Sequence, residues 1–395
     1  ALAAFVGANE EEEIEDVEEF RCLLAGRAPE EVSMDGWVFQ GVDLTDTAAE
    51  DWEAYDVSGA VLLGCTLPAG VERRDLVARG AKMVDNPPGL PFKPFRGFMY
   101  RQEELIECDA AIFEYYKKET GLRAMMVQAA HDSMIRDALF DYIEGKALVA
   151  IMGGHGMSRK DKMYREVVLL CRALAKNGVV VVTGGGPGAM EAGNLGAYLT
   201  EHTDEEVEEA LELMTAEDEK EYEKEYLNRE APMRVIKRFG WPSHMPSLGV
   251  PTYKYGHEPS NLFATWHAKF FSNAVREDGL IQIANVGIVY TPGSAGTRQE
   301  VFQDACRNHY ADCAEAACPM VFFGRKFWKE SGVYDLVHRS SEGLPYHDRL
   351  LLTDSREDVL EHLLRWKEHK SLPSFTMESL RKKHWLKCTS EVQSS

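Results

Sequence analysis

The chain lacks any apolar stretch long enough to cross a membrane. Its longest runs, such as Val179-Val180-Val181-Val182, fall far short of the ~18 residues that a span requires. It also lacks clustered Lys and Arg. Duplex nucleic acid is therefore not an expected partner, because binding it means neutralising many phosphates at once. No CxxC pair occurs among the cysteines at 22, 65, 108, 171, 306, 313, 318 and 388. They read as reduced, mostly buried thiols rather than a disulfide framework. The tightest group, Cys306, His309, Cys313 and Cys318, sits on a helix running into a loop, and no metal is expected there. The amino terminus, Ala1-Leu2-Ala3-Ala4-Phe5-Val6, has neither an initiator Met nor a basic leader. The expected location is cytoplasmic, or an organelle lumen after removal of a transit segment.

What is present is ordinary for a soluble protein. There are 395 residues, 45% of them hydrophobic and 28% charged, enough for about two to three folding units. The net charge of −21 is concentrated in two places. Residues 1–20 carry eight acids and no base, and residues 201–230 carry fourteen acids and three bases. These stretches read as solvated surface, with docking of a protein partner as the alternative.

Three regions follow. Residues 1–145 form an N-terminal accessory region of short strands and helices. Within it, Trp37-Val38-Phe39 reads as a short strand, and Val42-Asp43-Leu44 and Ala60-Val61-Leu62 hint at a pentapeptide-type turn, but with no tandem array a solenoid is not expected. Two helices separated near Gly121 close the region. Residues 146–345 alternate fully apolar strands with helices, the mark of a parallel sheet covered on both faces. This region is broken by an acidic helical insertion at 201–230. Its strands are expected at 148–152, 179–182, near Leu248, at 286–290 and at 320–323, with a helix across 260–275. Residues 346–395 read as a helix and a polar tail. The fold class is α/β, a doubly wound parallel sheet with an extra N-terminal α+β region.

Two glycine-rich turns carry the chemistry. Thr183-Gly184-Gly185-Gly186-Pro187-Gly188-Ala189-Met190-Glu191 follows a buried strand and opens a helix. Without side chains, its backbone N–H groups can approach a phosphate, and the helix N-terminus adds partial positive charge. No Gly-Lys-Ser/Thr follows, so it is not a Walker loop. The fit to the dinucleotide pattern is loose, and NAD chemistry ranks low. Pro292-Gly293-Ser294-Ala295-Gly296-Thr297-Arg298-Gln299-Glu300 repeats the design. In a doubly wound sheet two such turns should lie side by side, with Glu300 facing the phosphate crevice. Gly153 and Gly154 end a third apolar strand beside them.

These residues resemble the LOG family of phosphoribohydrolases and the related nucleotide 5′-monophosphate nucleosidases. Gly184 to Met190 reads GGGxGxM, one residue shorter than the family's GGGxxGxM. Pro292 to Glu300 is similar to its PGGxGTxxE. The likeness covers about residues 147–340. It implies a modified Rossmann fold, a homodimer, no cofactor, and hydrolysis of the N-glycosidic bond of a nucleoside 5′-monophosphate to free base and ribose 5-phosphate. By the same resemblance Glu300 and Arg276 form the catalytic pair. Phosphate and nucleotide fall to Gly153, Gly154, Gly184, Gly185, Gly186, Gly188, Met190, Glu191, Gly293, Ser294, Gly296 and Thr297. His257, Glu258 and Asn261 are candidate substrate contacts. Three positions depart from the pattern: Glu277 stands where the family has Lys, Ser294 replaces a Gly, and Gln299 replaces a second Glu. A carboxylate beside a sugar is chemically apt, since breaking the bond builds positive charge on the ribose. The alternative is a nucleotide-binding sensor or scaffold that has kept the pocket. Nothing in the sequence suggests a pyridoxal-phosphate site.

Overall fold

The computed structural model describes residues 12–216, 228–256, 260–311 and 316–368. The chain clusters into two compact units. One holds the residues up to Met99 together with Cys108–Leu139; the other holds Tyr100–Glu107 and everything from Phe140 onward. Tyr100–Glu107, grouped by sequence with the N-terminal region, thus belongs to the second unit.

The elements of the first 99 residues are β1 (Glu12–Ile14), α1 (Val17–Leu24), β2 (Trp37–Gln40), α2 (Ala49–Ala54), β3 (Val61–Leu63), α3 (Arg73–Ala78) and β4 (Lys82–Val84). They form a parallel sheet in the order β1-β2-β3-β4. Val38 pairs with Val61, 23 positions on, and Val61 pairs with Lys82, 21 positions on. Each turn of the chain lays one strand beside the last and returns through a short helix. This is a short stack of coils in sequence order, the architecture of a solenoid, and it corrects the expectation that no tandem array exists. The repeat shows in Gly36-Trp37-Val38-Phe39-Gln40-Gly41 and Gly59-Ala60-Val61-Leu62-Leu63-Gly64. Gly41 and Gly64 end their strands with positive φ, and each donates its N–H to the next coil, to Leu63 and Val84, at 2.7 Å. An L side chain resists that conformation. Phe20 fills the interior, its ring meeting Trp37, Phe39, Trp52 and Tyr55 at centroid distances of 5.3–6.2 Å.

Two long helices follow, α4 (Gln102–Lys118) and α5 (Leu122–Ile143), parted at Gly121 as the sequence suggests. The second unit then runs β5 (Ala147–Met152), α6 (Lys162–Lys176), β6 (Val179–Thr183), α7 (Ala189–Tyr198), α8 (Asp204–Thr215), α9 (Glu230–Phe239), β7 (Ser247–Gly249), β8 (Trp266–His267), α10 (Asn273–Ile283), β9 (Gly287–Tyr290), α11 (Ala295–His309), β10 (Met320–Phe323), α12 (Arg325–Glu330), α13 (Val333–Ser340), β11 (Leu350–Thr353) and α14 (Arg356–Glu368). Its seven strands are all parallel, in the order β11-β10-β9-β5-β6-β7-β8. β5, β6, β9 and β10 are buried along their whole length, as strands covered by helices on both faces must be. The α/β class with a Rossmann-like parallel sheet is therefore established. The sheet continues past residue 345 through β11, and α14 packs on α6, where Arg356 meets Glu166 at 3.4 Å.

Two local readings change. No helix spans 260–275; the chain there is extended and includes β8. Buried apolar Ala264, Ala268 and Phe270 alternate with buried polar Thr265, His267 and Lys269, the two-residue rhythm of a strand rather than a helical stripe. The acidic insertion is not wholly an appendage either. Val207, Ala210, Leu211 and Met214 of α8 sit in the main core, at the spacing of one helix face; the charge run at 217–227 lies outside the described residues. The helix α11 begins at Ala295, with Ser294 at the N-cap position, so Thr297 lies in its first turn.

Candidate functional site

The order of the main sheet reverses between β5 and β9. From β5 the chain steps outward through β6, β7 and β8; it then returns to β9 and steps the other way through β10 and β11. In open α/β sheets the crevice at the carboxyl ends of the strands, where the order reverses, is the usual ligand position. The turns after three strands are bonded together there. The Gly154 N–H, after β5, donates to the Pro292 carbonyl, after β9, at 3.1 Å. The Ala189 N–H, at the start of α7, donates to the Gly154 carbonyl at 3.2 Å. Two glycine turns more than a hundred residues apart therefore face one cavity of about 260 Å³.

Of the residues expected from sequence, Gly153, Gly154, Gly184, Gly185, Gly186, Met190, Ser294, Gly296, Thr297, Arg276 and Glu300 line this cavity. Others serve the loops from behind. Gly188 has φ +68, and a Cβ there would land on the carbonyl oxygen of Gly154; its smallness lets the turns touch. Gly293 plays a similar part against the Thr297 side chain. Glu191, expected at the ligand, is turned away. Its carboxylate is buried in a two-pronged pair with Arg159, both bonds at 2.8 Å, and accepts from the Tyr164 hydroxyl at 2.9 Å. Asn261 is likewise a brace. Its N–H donates to Gly185 at 2.9 Å, and its side-chain amide to the Gly186 carbonyl at 3.1 Å and the Asn194 side chain at 2.9 Å. His257 and Glu258 lie outside the described residues.

Arg276 reaches in from the first turn of α10. Its Nε donates to the Val250 carbonyl at 2.8 Å and its Nη2 to the Gly184 carbonyl at 3.4 Å. Much of the guanidinium is thus committed to holding the ends of β6 and β7 together. Glu300, half-buried on α11, has its carboxyl pushed up to about 7. Burial is the chief cause; Arg276 pulls it down and Glu277 pushes it up. Near neutral pH this carboxyl is present in both forms, so it can donate a hydrogen bond to a ligand or accept one.

The sequence reading missed the far wall. Thr252, Tyr255, Ser260 and Lys269 also line the cavity. Lys269 is only 1% exposed, a rare state for a lysine. It was hidden because the stretch from Trp266 to Phe271 reads as core helix rather than as the end of a strand.

No protein-family model matches the chain, and no curated protein does. Among solved structures, the chain is similar to the molybdenum cofactor binding protein from the phototrophic bacterium Rippkaea orientalis. The match has 14% identity over 56% of this chain and 96% of that one, with a TM-score of 0.33. It is similar in the same degree to the molybdenum cofactor carrier protein from Chlamydomonas reinhardtii, with 14% identity over 56% and 99% of the two chains and a TM-score of 0.32. At this identity the likeness concerns the fold. Both proteins are named for binding or carrying a cofactor and neither for cleaving a nucleotide. The hydrolase expected from the loop motifs is corrected accordingly, and the LOG family is a resemblance of motifs only.

Proposed function

We propose that this chain is a binding protein for a phosphorylated small organic molecule, which it holds in the crevice between β5 and β9 without cleaving it. The observation that carries this reading is the joining of the two glycine turns by the Gly154–Pro292 and Ala189–Gly154 bonds. It sets the N-termini of α7 and α11 on one cavity. Backbone N–H groups at two helix starts favour a doubly charged oxyanion, and the glycines let it come close. The chain as a whole is acidic, so a local anion site must be built from such fixed dipoles rather than from net charge.

Retention rather than turnover is supported by the state of Arg276, one of the two side chains that hydrolysis would call on: its guanidinium is tied to two backbone carbonyls. The other, Glu300, is well placed to hold ligand hydroxyls in either protonation state.

Calorimetric titration with inorganic phosphate and short alkyl phosphates tests the proposal. Saturable binding of the alkyl phosphates, competed by inorganic phosphate, is the expected result. Prolonged incubation with ribose 5-phosphate or a nucleoside monophosphate should return the compound intact. Absence of phosphate-dependent heat removes the binding reading, and release of free base removes the retention reading.

A further inference from the structure

We infer that the ligand of this cavity carries a cationic nitrogen as well as its phosphate, and that the cation meets the carboxylates of Glu277 and Glu300. The inference rests on the binding reading above and adds the class of ligand: an amino-bearing phosphomonoester rather than a purely anionic one.

Three observations carry it. First, the two acids share one wall. Glu277 on α10 and Glu300 on α11 both line the cavity. The side-chain amide of Gln299, next to Glu300, donates to Glu277 Oε2 at 2.9 Å. The amide of Asn273, one turn earlier on α10, donates to Glu277 Oε1 at 2.7 Å. These neutral donors orient the Glu277 carboxylate without cancelling its charge. Second, the wall adjoins the second glycine turn. Glu300 follows Gly296 by four residues on α11, so it lies on the same helix face, about 6 Å further along the axis. A phosphate at the start of α11 therefore has a carboxylate one turn away.

Third, the cations of the cavity serve other groups. Arg276 is only 8% exposed and lines the cavity, and its Nε and Nη2 hold the Val250 and Gly184 carbonyls. Among the described residues its Nη1 has no partner, which leaves that edge of a buried guanidinium to the anion of a ligand. Lys269 stands 3.3 Å from the Ser260 hydroxyl and acts on His267, whose pKa burial and Lys269 drive down to about 3. The charges that act on Glu300 are Arg276 and Glu277, and burial with Glu277 holds its pKa at about 7 against the pull of Arg276. Toward a ligand that is phosphate alone, such a wall is repulsive. Toward a ligand with a cationic nitrogen it is attractive, and the attraction is stronger away from bulk water. Glu277 stands where the LOG pattern has Lys, so the sign of this wall belongs to this chain.

The test is a matched series at pH 8, above the raised pKa of Glu300. Alkyl, ω-hydroxyalkyl and ω-aminoalkyl phosphates of equal chain length, from two to five carbons, are titrated into the full chain by calorimetry. At the best length the amino compound should bind about 10-fold or more tighter than its alkyl match, the worth of one charge-assisted hydrogen bond, and tighter than its hydroxyl match as well. In Glu277→Gln, which keeps the shape and removes the charge, that advantage should shrink. In Glu277→Lys it should collapse to below about 2-fold. Thermal unfolding of each variant shows whether it is folded, and the comparison within the unaltered chain needs no variant. If no amino compound outbinds both of its matches, or if the advantage survives in Glu277→Lys, the cation subsite is overturned while phosphate binding stands. If no compound of any class binds, both readings fail.

Discussion

The amide of Gly154 donates to the carbonyl of Pro292 at 3.1 Å, and through it the turn after β5 is joined to the turn after β9. The two residues are 138 positions apart, yet the strands they follow are neighbours, with Met152 opposite Tyr290. Everything that makes the crevice a site depends on this approach. The turns are glycine because side chains there would keep the backbones apart.

Gly188→Ala tests that dependence. The new methyl would land on the carbonyls of Gly154 and His155, and the residue would have to hold φ +68. Either the start of α7 shifts or the Ala189–Gly154 bond opens. Phosphate affinity should fall by at least about 10-fold, and stability by roughly 1–3 kcal/mol. Calorimetry and denaturant unfolding measure the two effects separately. Unchanged affinity would mean that the α7 start is not part of the anion cradle.

Glu300→Gln tests the buried carboxyl. Its pKa in the folded chain, about 7, lies above the ordinary carboxylate value of about 4.3. The folded protein therefore binds more protons than the unfolded chain between those values. The stability that Glu300 contributes is present below about pH 4.3 and is lost as pH rises through about 7. The glutamine variant has no such loss. Its advantage over the unaltered chain should grow across this window to on the order of 1–2 kcal/mol at pH 8, after allowing for solvent at the cavity mouth. Chemical denaturation at pH 5 and pH 8 gives the difference, and equal differences at the two pH values would place the carboxyl in water.

How far the sequence led can be judged from these same residues. The glycine turns were legible because a run of glycines directly after an apolar strand is what a close backbone approach demands. The main sheet was legible because β5, β6, β9 and β10 are apolar on both faces and are separated by helices of clear period. Lys269 was missed because its stretch reads as helix, although Thr265, His267 and Lys269 alternate with Ala264, Trp266, Ala268 and Phe270 at the two-residue period of a strand. Glu191 misled because its place after the loop matched a motif, whereas its partner Arg159 is 32 positions earlier and shares no pattern with it. The coils of the first unit escaped because the glycine-bounded strand occurs clearly only twice. In the third copy, Gly80-Ala81-Lys82-Met83-Val84-Asp85, Asp85 stands where the closing glycine would be.

His267 gives an effect of opposite sign to that of Glu300. Its folded pKa, about 3, is below the ordinary histidine value of about 6.5. The unfolded chain takes up the proton first as pH falls. Stability is therefore lost on going from pH 6.5 toward pH 3, and this residue should account for about 2–3 kcal/mol of loss between pH 7 and pH 4.5. His267→Gln should flatten the acid limb of the stability curve by that amount, whatever its effect at pH 7. An unaltered acid limb would mean that the imidazole is charged or solvated in the folded chain.

The pair between Arg159 and Glu191 separates a brace from a ligand-binding group. Both side chains are about 4% exposed and are joined by two bonds of 2.8 Å; Arg159 also donates to the Asn228 carbonyl at 3.2 Å. Removing one partner strands the other charge in the interior. Arg159→Met and Glu191→Leu should each cost about 3–5 kcal/mol, whereas the double variant should recover most of that loss, because two apolar groups of similar volume need no solvation. If Glu191 contacted the ligand, the double variant would regain its stability and still fail to bind phosphate. With Glu191 acting only as a brace of α7, stability and phosphate affinity should return together. Unfolding and calorimetry on the three variants decide between these outcomes.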